Sequence, residues 1–335
     1  MINNNFLEIF KERKELSIRY DKNHEAVWCY FNPQKRACFS MTMLKEIYDV
    51  QNKIIKYFEK YKMEPPIPIK YFVLASQVPE IFNFGGDLDL FSWLIKKRDK
   101  EMLFEYAKLC IDTVYLNAMG MNLPITTIAF VEGSALGGGF ECALSSHVII
   151  AKEEARMGFP EIKFNLFPGM GAYSLLAREG GVKMAEEMIK SGKIYTAKEL
   201  FSKGVVEKIA KNGIEDVENY MKKHSKVFNG MQGIQRAKRC YQPIDYKELL
   251  DIIKIWVETA LKITESDIKI MQRFVKAQEQ KHQFKMRIRT KQDRRMNLFK
   301  PSFPFIDSKG NLVLEDRRKR ERRASISNTY KKIAS

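Results

Sequence analysis

The sequence predicts an α/β fold with a largely parallel sheet, followed by a helical C-terminal region. Two observations support this prediction. Up to Gly169, short β-prone runs alternate with stretches in which apolar residues recur at three- and four-residue steps, and after Gly169 the pattern turns helical. Alternating strands and crossover helices indicate parallel strand pairing. The chain shows no internal repeat.

The strands are predicted from five β-prone runs. They cover residues 16–20, 26–31, 70–76, 126–131 and 147–151. The first two are bounded by turn-forming segments, Asp21-Lys22-Asn23 and Asn32-Pro33. The run at 70–76 is apolar enough to indicate a buried strand, and the run at 126–131 leads into a glycine-rich turn.

The helices are predicted from the spacing of apolar residues. An early helix is expected at 43–61, ending before Pro65-Pro66, and a second at 93–116. The later helices are predicted at 171–178, 182–190, 197–203, 214–224, 246–262 and 265–290. The last two are the longest of the later helices.

Length and composition indicate one large domain with a tail. The chain has 335 residues with 45% apolar content, enough to bury a sizeable core. No apolar run approaches the roughly 18 residues that a membrane helix needs, and the N-terminus leads into charged residues rather than a signal segment. The five cysteines are odd in number and lack CxxC spacing, which predicts reduced, mostly buried thiols and a cytoplasmic protein.

The positive charge is concentrated at the C-terminus. Residues 281–335 contain 17 basic and 5 acidic residues, a net +12 of the chain's +17. Four interpretations of this tail stay open: a solvated segment, a dock for an acidic protein, a contact for phosphate-bearing ligands, or nucleic-acid binding. Nucleic acid is the least favoured, because no recognised nucleic-acid module accompanies the charge.

Two glutamates, Glu141 and Glu161, are the strongest candidates for chemistry. Glu141 follows the triplet Gly137-Gly138-Gly139 and is expected in the first turn of a helix, and Glu161 ends a Gly-Phe-Pro-Glu turn. Paired carboxylates that face one substrate can divide acid and base duties when their surroundings separate the two pKa values.

Two glycine turns suggest where a negative charge could be stabilised. The triplet can either let helix and sheet pack tightly or expose backbone amides to a ligand. A second turn, Gly85-Gly86, follows the strand at 70–76. Two strand ends that each deliver one N–H to a common point form an oxyanion hole. The presence of this second turn therefore favours the interpretation that the triplet exposes backbone amides to a ligand.

These motifs together resemble the crotonase, or enoyl-CoA hydratase, superfamily over roughly residues 15–280. The turn Phe82-Asn83-Phe84-Gly85-Gly86-Asp87-Leu88 is similar to the Phe-x-x-Gly-x-Asp-Leu turn of the family's first oxyanion donor, which matches Gly86. The resemblance implies that the amides of Gly86 and Gly138 form the hole and that Glu141 and Glu161 are the acid/base pair. It also implies a crotonase-like ββα spiral core.

The segment after Glu161 resembles one branch of that superfamily. It reads Glu161-Ile162-Lys163-Phe164-Asn165-Leu166-Phe167-Pro168-Gly169-Met170-Gly171, and with 139–145 it is similar to the diffusible signal factor synthases, which make cis-2-unsaturated fatty acids as quorum-sensing signals. The implied activity is dehydration of a 3-hydroxyacyl-acyl carrier protein and hydrolysis of its thioester, making the enzyme both a dehydratase and a thioesterase.

The resemblance also sets expectations for organisation and partners. It implies a catalytic core at 1–225, a helical region at 226–290 that covers the site and supports a homo-oligomer, with a trimer favoured, and a basic tail at 291–335. The implied partner is acyl carrier protein, or acyl-CoA. Lys96, Lys97, Arg98 and Lys100 are candidates for a basic rim that meets an acidic carrier, and the alternative is an ordinary solvated helix face.

An apolar acyl pocket is expected beside the two glutamates. Its candidate substrate-binding residues are Phe84, Gly85, Leu136, Gly137, Met170 and Trp256, although for the larger side chains core packing is the favoured alternative. No cofactor is implied, and no His/Cys/Asp cluster has the spacing of metal ligands.

Two alternatives remain open at this point. One is a plain enoyl-CoA hydratase or isomerase that acts on acyl-CoA. The other is a non-catalytic relative whose basic tail holds a partner.

Overall fold

The computed structural model describes residues 4–296 and the short segments 305–306 and 312–313, with side chains for residues 5–287. In chain order the strands are β1 (Leu16–Asp21), β2 (Ala26–Phe31), β3 (Tyr71–Ser76), β4 (Ile81–Asn83), β5 (Thr126–Val131), β6 (Ser134–Leu136), β7 (Val148–Lys152), β8 (Arg156–Gly158), β9 (Ile194–Thr196), β10 (Lys208–Ala210), β11 (Phe305–Ile306) and β12 (Leu312–Val313). All five predicted strands are present.

Helices surround these strands. They are α1 (Asn4–Ile9), α2 (Met41–Lys60), α3 (Leu88–Lys97), α4 (Lys100–Ala118), α5 (Gly138–Leu144), α6 (Ala172–Gly180), α7 (Val182–Ser191), α8 (Ala197–Ser202), α9 (Ile214–His224), α10 (Phe228–Tyr241), α11 (Tyr246–Ala260) and α12 (Glu265–Met296). Short 3₁₀ segments occur at Gly120–Asn122, Glu161–Phe164 and Ser225–Val227.

The larger sheet has six strands in the order β1-β2-β3-β5-β7-β10. Its strands pair in parallel except for β1 and β2, which form an antiparallel pair. Every residue of β5 is buried, and β3 is buried except at Ser76. Burial on both faces is the usual condition of parallel strands, which explains why these runs read as continuous apolar stretches.

A smaller sheet, β4-β6-β8-β9, lies beside the first and was not predicted. Its strands have only three residues each, too few to show a periodic pattern. The chain alternates between the sheets: β3, β5 and β7 belong to the larger one, and the strand after each belongs to the smaller one. This repeated ββ unit with intervening helices is the expected ββα spiral.

The prediction of one continuous helix at 93–116 is wrong, because two helices occupy this region. The chain breaks at Arg98, which adopts a left-handed conformation with φ of +54°. Asp99 then caps the next helix, its side chain accepting a hydrogen bond from the Met102 amide. Arg98 and Asp99 therefore separate α3 from α4.

The late region is helical, as expected, and α12 extends six residues beyond the predicted end, to Met296. The proposed tail at 291–335 lies outside the described residues, apart from the end of α12 and the strands β11 and β12. All five cysteines are free: Cys29, Cys38, Cys110 and Cys142 are buried, and Cys240 is exposed. No helix among the described residues is both long and apolar enough to cross a lipid bilayer.

Candidate active site

The three candidate segments leave the smaller sheet at the same edge. Strands β4, β6 and β8 run parallel to one another, so their carboxyl ends lie side by side. Gly86 follows β4, Gly138 follows β6 and Glu161 follows β8 within a few residues. Segments more than 70 residues apart in sequence therefore meet because of strand pairing.

The two glycine turns are in direct contact. A β carbon placed on Gly138 would lie 3.4 Å from the Gly86 nitrogen, and one placed on Gly85 would lie 2.7 Å from the Gly138 nitrogen. The first turn is held in place because the Gly85 N–H donates to Asn83 Oδ1 at 2.7 Å and its carbonyl accepts from the Phe39 N–H at 2.7 Å. Only residues without side chains allow this approach.

The amides of Gly86 and Gly138, hereafter the amide pair, make no hydrogen bond to any group in the part of the chain that the structure describes. Gly138 is the first residue of α5, so its N–H has no acceptor within the helix. An amide pair at one point, each with a free N–H, is suited to an oxyanion.

Glu141 is held by the backbone of a distant loop. Its side chain is buried, with 1% exposure, and Oε1 accepts hydrogen bonds from the Met170 N–H at 2.6 Å and the Ala172 N–H at 2.8 Å. Burial raises the pKa of Glu141 to about 8, while the two backbone donors act in the opposite direction. The carboxyl group can therefore exchange a proton near neutral pH.

Glu161 begins the 3₁₀ segment after β8. Its Oε2 is buried and accepts no hydrogen bond from the described residues. Burial, together with the nearby charge of Glu141, raises the pKa of Glu161 well above its usual range. Glu141 and Glu161, hereafter the carboxyl pair, thus influence each other's protonation and titrate as a coupled pair.

One cavity brings these groups together. Both members of the carboxyl pair and of the amide pair line it. The remaining lining is mostly apolar and comes from Phe84, Leu88, Phe91, Tyr106, Ala107, Cys110, Pro160, Phe164, Leu166, Phe167, Pro168, Gly169, Met170, Trp256, Phe274 and Gln278. Such a lining suits a ligand with an apolar part and a polar reacting end.

Of the six candidate substrate-binding residues, Phe84, Met170 and Trp256 line this cavity. The other three are not among its lining residues. Gly85 supports the first turn, Gly137 lies against Glu161, and Leu136 packs beside Phe84 in a small apolar cluster.

The sequence did not reveal the cavity walls that α3, α4 and α12 supply. Leu88 and Phe91 share one face of α3, a spacing that indicates a buried face but not what it faces. Phe274 and Gln278 lie more than 110 residues from Glu161 in sequence, and no local signal connects them to the site.

Among the described residues, one group has the composition of a metal site. The candidate ligand atoms of Asp21, His24 and Glu218 lie within 4.8 Å of one another. The sequence had shown no such cluster, since Glu218 comes from α9 while the other two lie at the end of β1 and in the turn after it. His24 Nδ1 and Asp21 Oδ2 are 2.6 Å apart, which a hydrogen bond explains, and none of the three lines the cavity.

Comparison with known proteins agrees with this architecture. The family model for enoyl-CoA hydratase/isomerase matches residues 32–239. Human mitochondrial methylglutaconyl-CoA hydratase is 28% identical over 214 residues, which cover 63% of this chain and 59% of that enzyme. The match thus spans about three fifths of the length of this curated relative.

Two solved structures share the fold. Enoyl-CoA hydratase from Bacillus halodurans superposes with a TM-score of 0.64 at 20% identity, covering 77% of this chain and 99% of that one. DspI from Pseudomonas aeruginosa superposes with a TM-score of 0.59 at 21% identity, covering 70% and 90%. Because the family model matches more than half of this chain, the protein belongs to the enoyl-CoA hydratase/isomerase family of the crotonase superfamily.

Proposed function

We propose that this protein dehydrates a 3-hydroxyacyl thioester, carried by acyl carrier protein, and then hydrolyses the thioester to release a cis-2-unsaturated fatty acid, as the diffusible signal factor synthases do. One observation carries the proposal: the carboxyl pair and the amide pair face a single, mostly apolar cavity. The close similarity of the segment after Glu161 to that branch supports the choice of reaction.

In the dehydration step, the thioester oxygen would accept hydrogen bonds from the amide pair. Their N–H groups stabilise the enolate that forms when the α-proton leaves. One carboxylate takes that proton, and the other, protonated, gives its proton to the departing β-hydroxyl, which leaves as water. We assign these duties to the pair as a whole, since the coupled groups share their protons.

In the hydrolytic step, water adds to the thioester carbonyl of the unsaturated product. The tetrahedral oxyanion is stabilised by the same two amides, the carbon–sulfur bond breaks, and the carrier's thiol leaves with a proton. A single oxyanion hole can therefore serve both reactions. The product's cis geometry would depend on a bend that the cavity imposes on the acyl chain.

Exposed basic residues support a carrier protein as the partner. Lys96, Lys97, Arg98 and Lys100 are all exposed around the junction of α3 and α4. Leu88 and Phe91 of the same α3 helix line the cavity. An acidic carrier would be attracted to this charge, mainly through faster association.

We also propose that the protein is a homo-oligomer, a trimer by analogy with its family. Ile234 and Tyr241 lie seven residues apart on α10 and are 62% and 82% exposed, and Val227, just before the helix, is 57% exposed. The spacing of seven places Ile234 and Tyr241 on one helix face, and exposed apolar residues of this kind are typical of a protein contact. Light scattering coupled to size-exclusion chromatography would give the mass in solution.

A plain enoyl-CoA hydratase or isomerase is the second candidate. The observation that favours it is the sequence match to human methylglutaconyl-CoA hydratase, whose name specifies a hydratase acting on a CoA ester. The same carboxyl and amide pairs would serve hydration, because hydration is the reverse of the dehydration step.

The deciding experiment incubates the purified protein with a 3-hydroxyacyl-acyl carrier protein. Mass spectrometry would follow free 2-enoic acid, and a thiol reagent would follow released carrier. Free acid with an equal amount of thiol is the expected result. Interconversion of hydroxyacyl and enoyl thioesters without thiol release would favour the hydratase, and no change with either carrier protein or CoA substrates would favour the non-catalytic alternative.

A further inference from the structure

Gln278 on α12 is an uncharged polar residue in the mostly apolar wall of the cavity. Its side chain is 7% exposed, lines the cavity, and its Oε1 is buried without a hydrogen-bond partner among the described residues. A buried carbonyl oxygen without a donor is uncommon in folded proteins and needs an explanation. Gln51 Oε1 is likewise buried without a donor in the described part of the chain, but Gln51 is anchored through its Nε2, which donates to the Thr113 carbonyl at 3.0 Å, and it does not line the cavity.

The packing of α12 places Gln278 in the wall of the cavity that the carboxyl and amide pairs also line. One turn before it, the ring of Phe274 packs against Phe164, in the 3₁₀ segment that Glu161 begins, with the ring centroids 5.6 Å apart. One turn after it, Lys281 Nζ lies 5.8 Å from the ring centroid of Phe84, two residues before Gly86. Lys281 also donates to Ser134 Oγ at 2.7 Å, which fixes this end of the helix on β6. Gln278 therefore lies between the segments that carry Glu161 and Gly86.

We infer that Gln278 positions the substrate by accepting a hydrogen bond from its 3-hydroxyl group, and so selects 3-hydroxyacyl chains over unsubstituted acyl chains. This inference rests on the proposed function. The thioester oxygen binds at the amide pair, so the hydroxyl two carbons further along the chain lies near the carboxyl pair. Apart from the carboxyl pair, which carries the proton transfers, most side chains of the cavity are apolar and offer the hydroxyl no acceptor.

The hydrogen bond also orients the leaving group. When the hydroxyl hydrogen points to Gln278 Oε1, a lone pair on the hydroxyl oxygen is free to receive the proton from the protonated member of the carboxyl pair. The carbon–oxygen bond then breaks and water departs. With the α-proton already taken by the other carboxylate, the loss of water completes the elimination. Gln278 neither gains nor loses a proton, so it is a positioning residue.

The test compares Gln278→Met with Gln280→Met. Methionine keeps the length of the side chain and removes its polar end. Gln280 lies two residues further along α12 and is exposed, so the same substitution there controls for effects on the helix. The probes are 3-hydroxydodecanoyl and dodecanoyl pantetheine in which the thioester sulfur is replaced by N–H, so that neither can be hydrolysed. Their dissociation constants would be measured by isothermal titration calorimetry.

The wild type and Gln280→Met should bind the 3-hydroxy analogue about tenfold more tightly than the unsubstituted one, the value of one hydrogen bond to a buried acceptor. Gln278→Met should lose this preference while its affinity for the unsubstituted analogue stays within about twofold. The inference is overturned if the wild type shows no preference, if the preference survives in Gln278→Met, or if that variant weakens both analogues equally. These dissociation constants do not depend on turnover. Failure of the proposed function would instead appear as the absence of free acid when the thioester is the substrate, so the two failures can be told apart.

Discussion

The carboxylate of Glu161 lies directly against the α carbon of Gly137. A β carbon on Gly137 would fall 2.2 Å from Glu161 Oε1, well inside van der Waals contact. Gly137 also has φ of +53° and ψ of −126°, a backbone conformation that residues with side chains rarely adopt. This glycine therefore allows α5, with Glu141, to start beside the second carboxyl group.

Gly137→Ala should displace the Glu161 carboxylate and lower kcat/KM about 100-fold, as expected when an acid/base group is misplaced. Gly213→Ala is the matched control. Gly213 precedes α9 with φ of +65° and ψ of −130°, and the nearest atom to its β-carbon position is 3.9 Å away. Both variants should lose thermal stability through backbone strain, but only Gly137→Ala should lose activity. Equal activity losses in the two variants would contradict this expectation.

Glu141→Gln and Glu161→Gln should each lower kcat by about 10²-fold or more, because an amide cannot transfer the proton. The double variant should be little worse than the poorer single variant, since the pair acts as a unit. Steady-state kinetics checks both statements, and Glu154→Gln, at an exposed position, is the control. Normal turnover by either folded single variant would rule out the proposed acid/base pair.

Glu141→Ala should differ from Glu141→Gln in stability. Alanine removes the acceptor of the Met170 and Ala172 amides, whereas glutamine can retain an oxygen there. Leaving buried donors unpaired costs about 1–3 kcal/mol of unfolding free energy. Urea unfolding should therefore give Glu141→Gln a higher unfolding free energy than Glu141→Ala. Equal unfolding free energies would show that the hydrogen bonds to the Met170 and Ala172 amides contribute little to stability.

The raised pKa of Glu141 predicts how stability depends on pH. The folded pKa of about 8 exceeds the ordinary 4.5, so between these values the folded state holds more protons than the unfolded state. The unfolding free energy should therefore fall as pH rises from about 5 to 8. The contribution of this one group has a slope of at most about 1.4 kcal/mol per pH unit.

Comparing the wild type with Glu141→Gln isolates this effect from other titrating groups. His147, for example, acts in the opposite direction, because burial lowers its pKa to about 4 and its contribution to stability grows as pH rises from there to about 6.5. The wild type should lose more stability than Glu141→Gln between pH 5 and 8. Parallel pH profiles for the two proteins would mean that Glu141 keeps an ordinary pKa.

Trp256→Phe should shift the acyl preference toward longer chains. Trp256 is 4% exposed, lines the cavity and packs edge-on against Phe91, with ring centroids 5.0 Å apart. Its smaller replacement lengthens the space for the chain, and one methylene in an apolar pocket changes kcat/KM about tenfold or more. A series of acyl thioesters of increasing length would measure the shift. Trp93→Phe, at a position 56% exposed, should leave the profile unchanged, and an unchanged profile for Trp256→Phe would place the acyl chain elsewhere.

Much of the fold could be predicted from local patterns. Strand β5 and helix α9 have the predicted bounds, 126–131 and 214–224, because a buried parallel strand and an amphipathic helix each leave a clear signature. The break at Arg98 was missed because a left-handed residue other than glycine or asparagine gives no warning in sequence. The short strands β6 and β8 were missed because three residues carry no period.

The sequence by itself determined which groups are the candidates for chemistry: the glutamates, the two glycine turns and the family they indicate are all local features. Only the tertiary structure decided that these groups share one cavity, that burial raises the pKa of both carboxyl groups, and that Gln278 of α12 lines the same cavity. The physical reason is that proximity between distant segments depends on the pairing of short parallel strands and on the packing of α12. Burial, and with it the pKa of a carboxyl group, is a property of that packing.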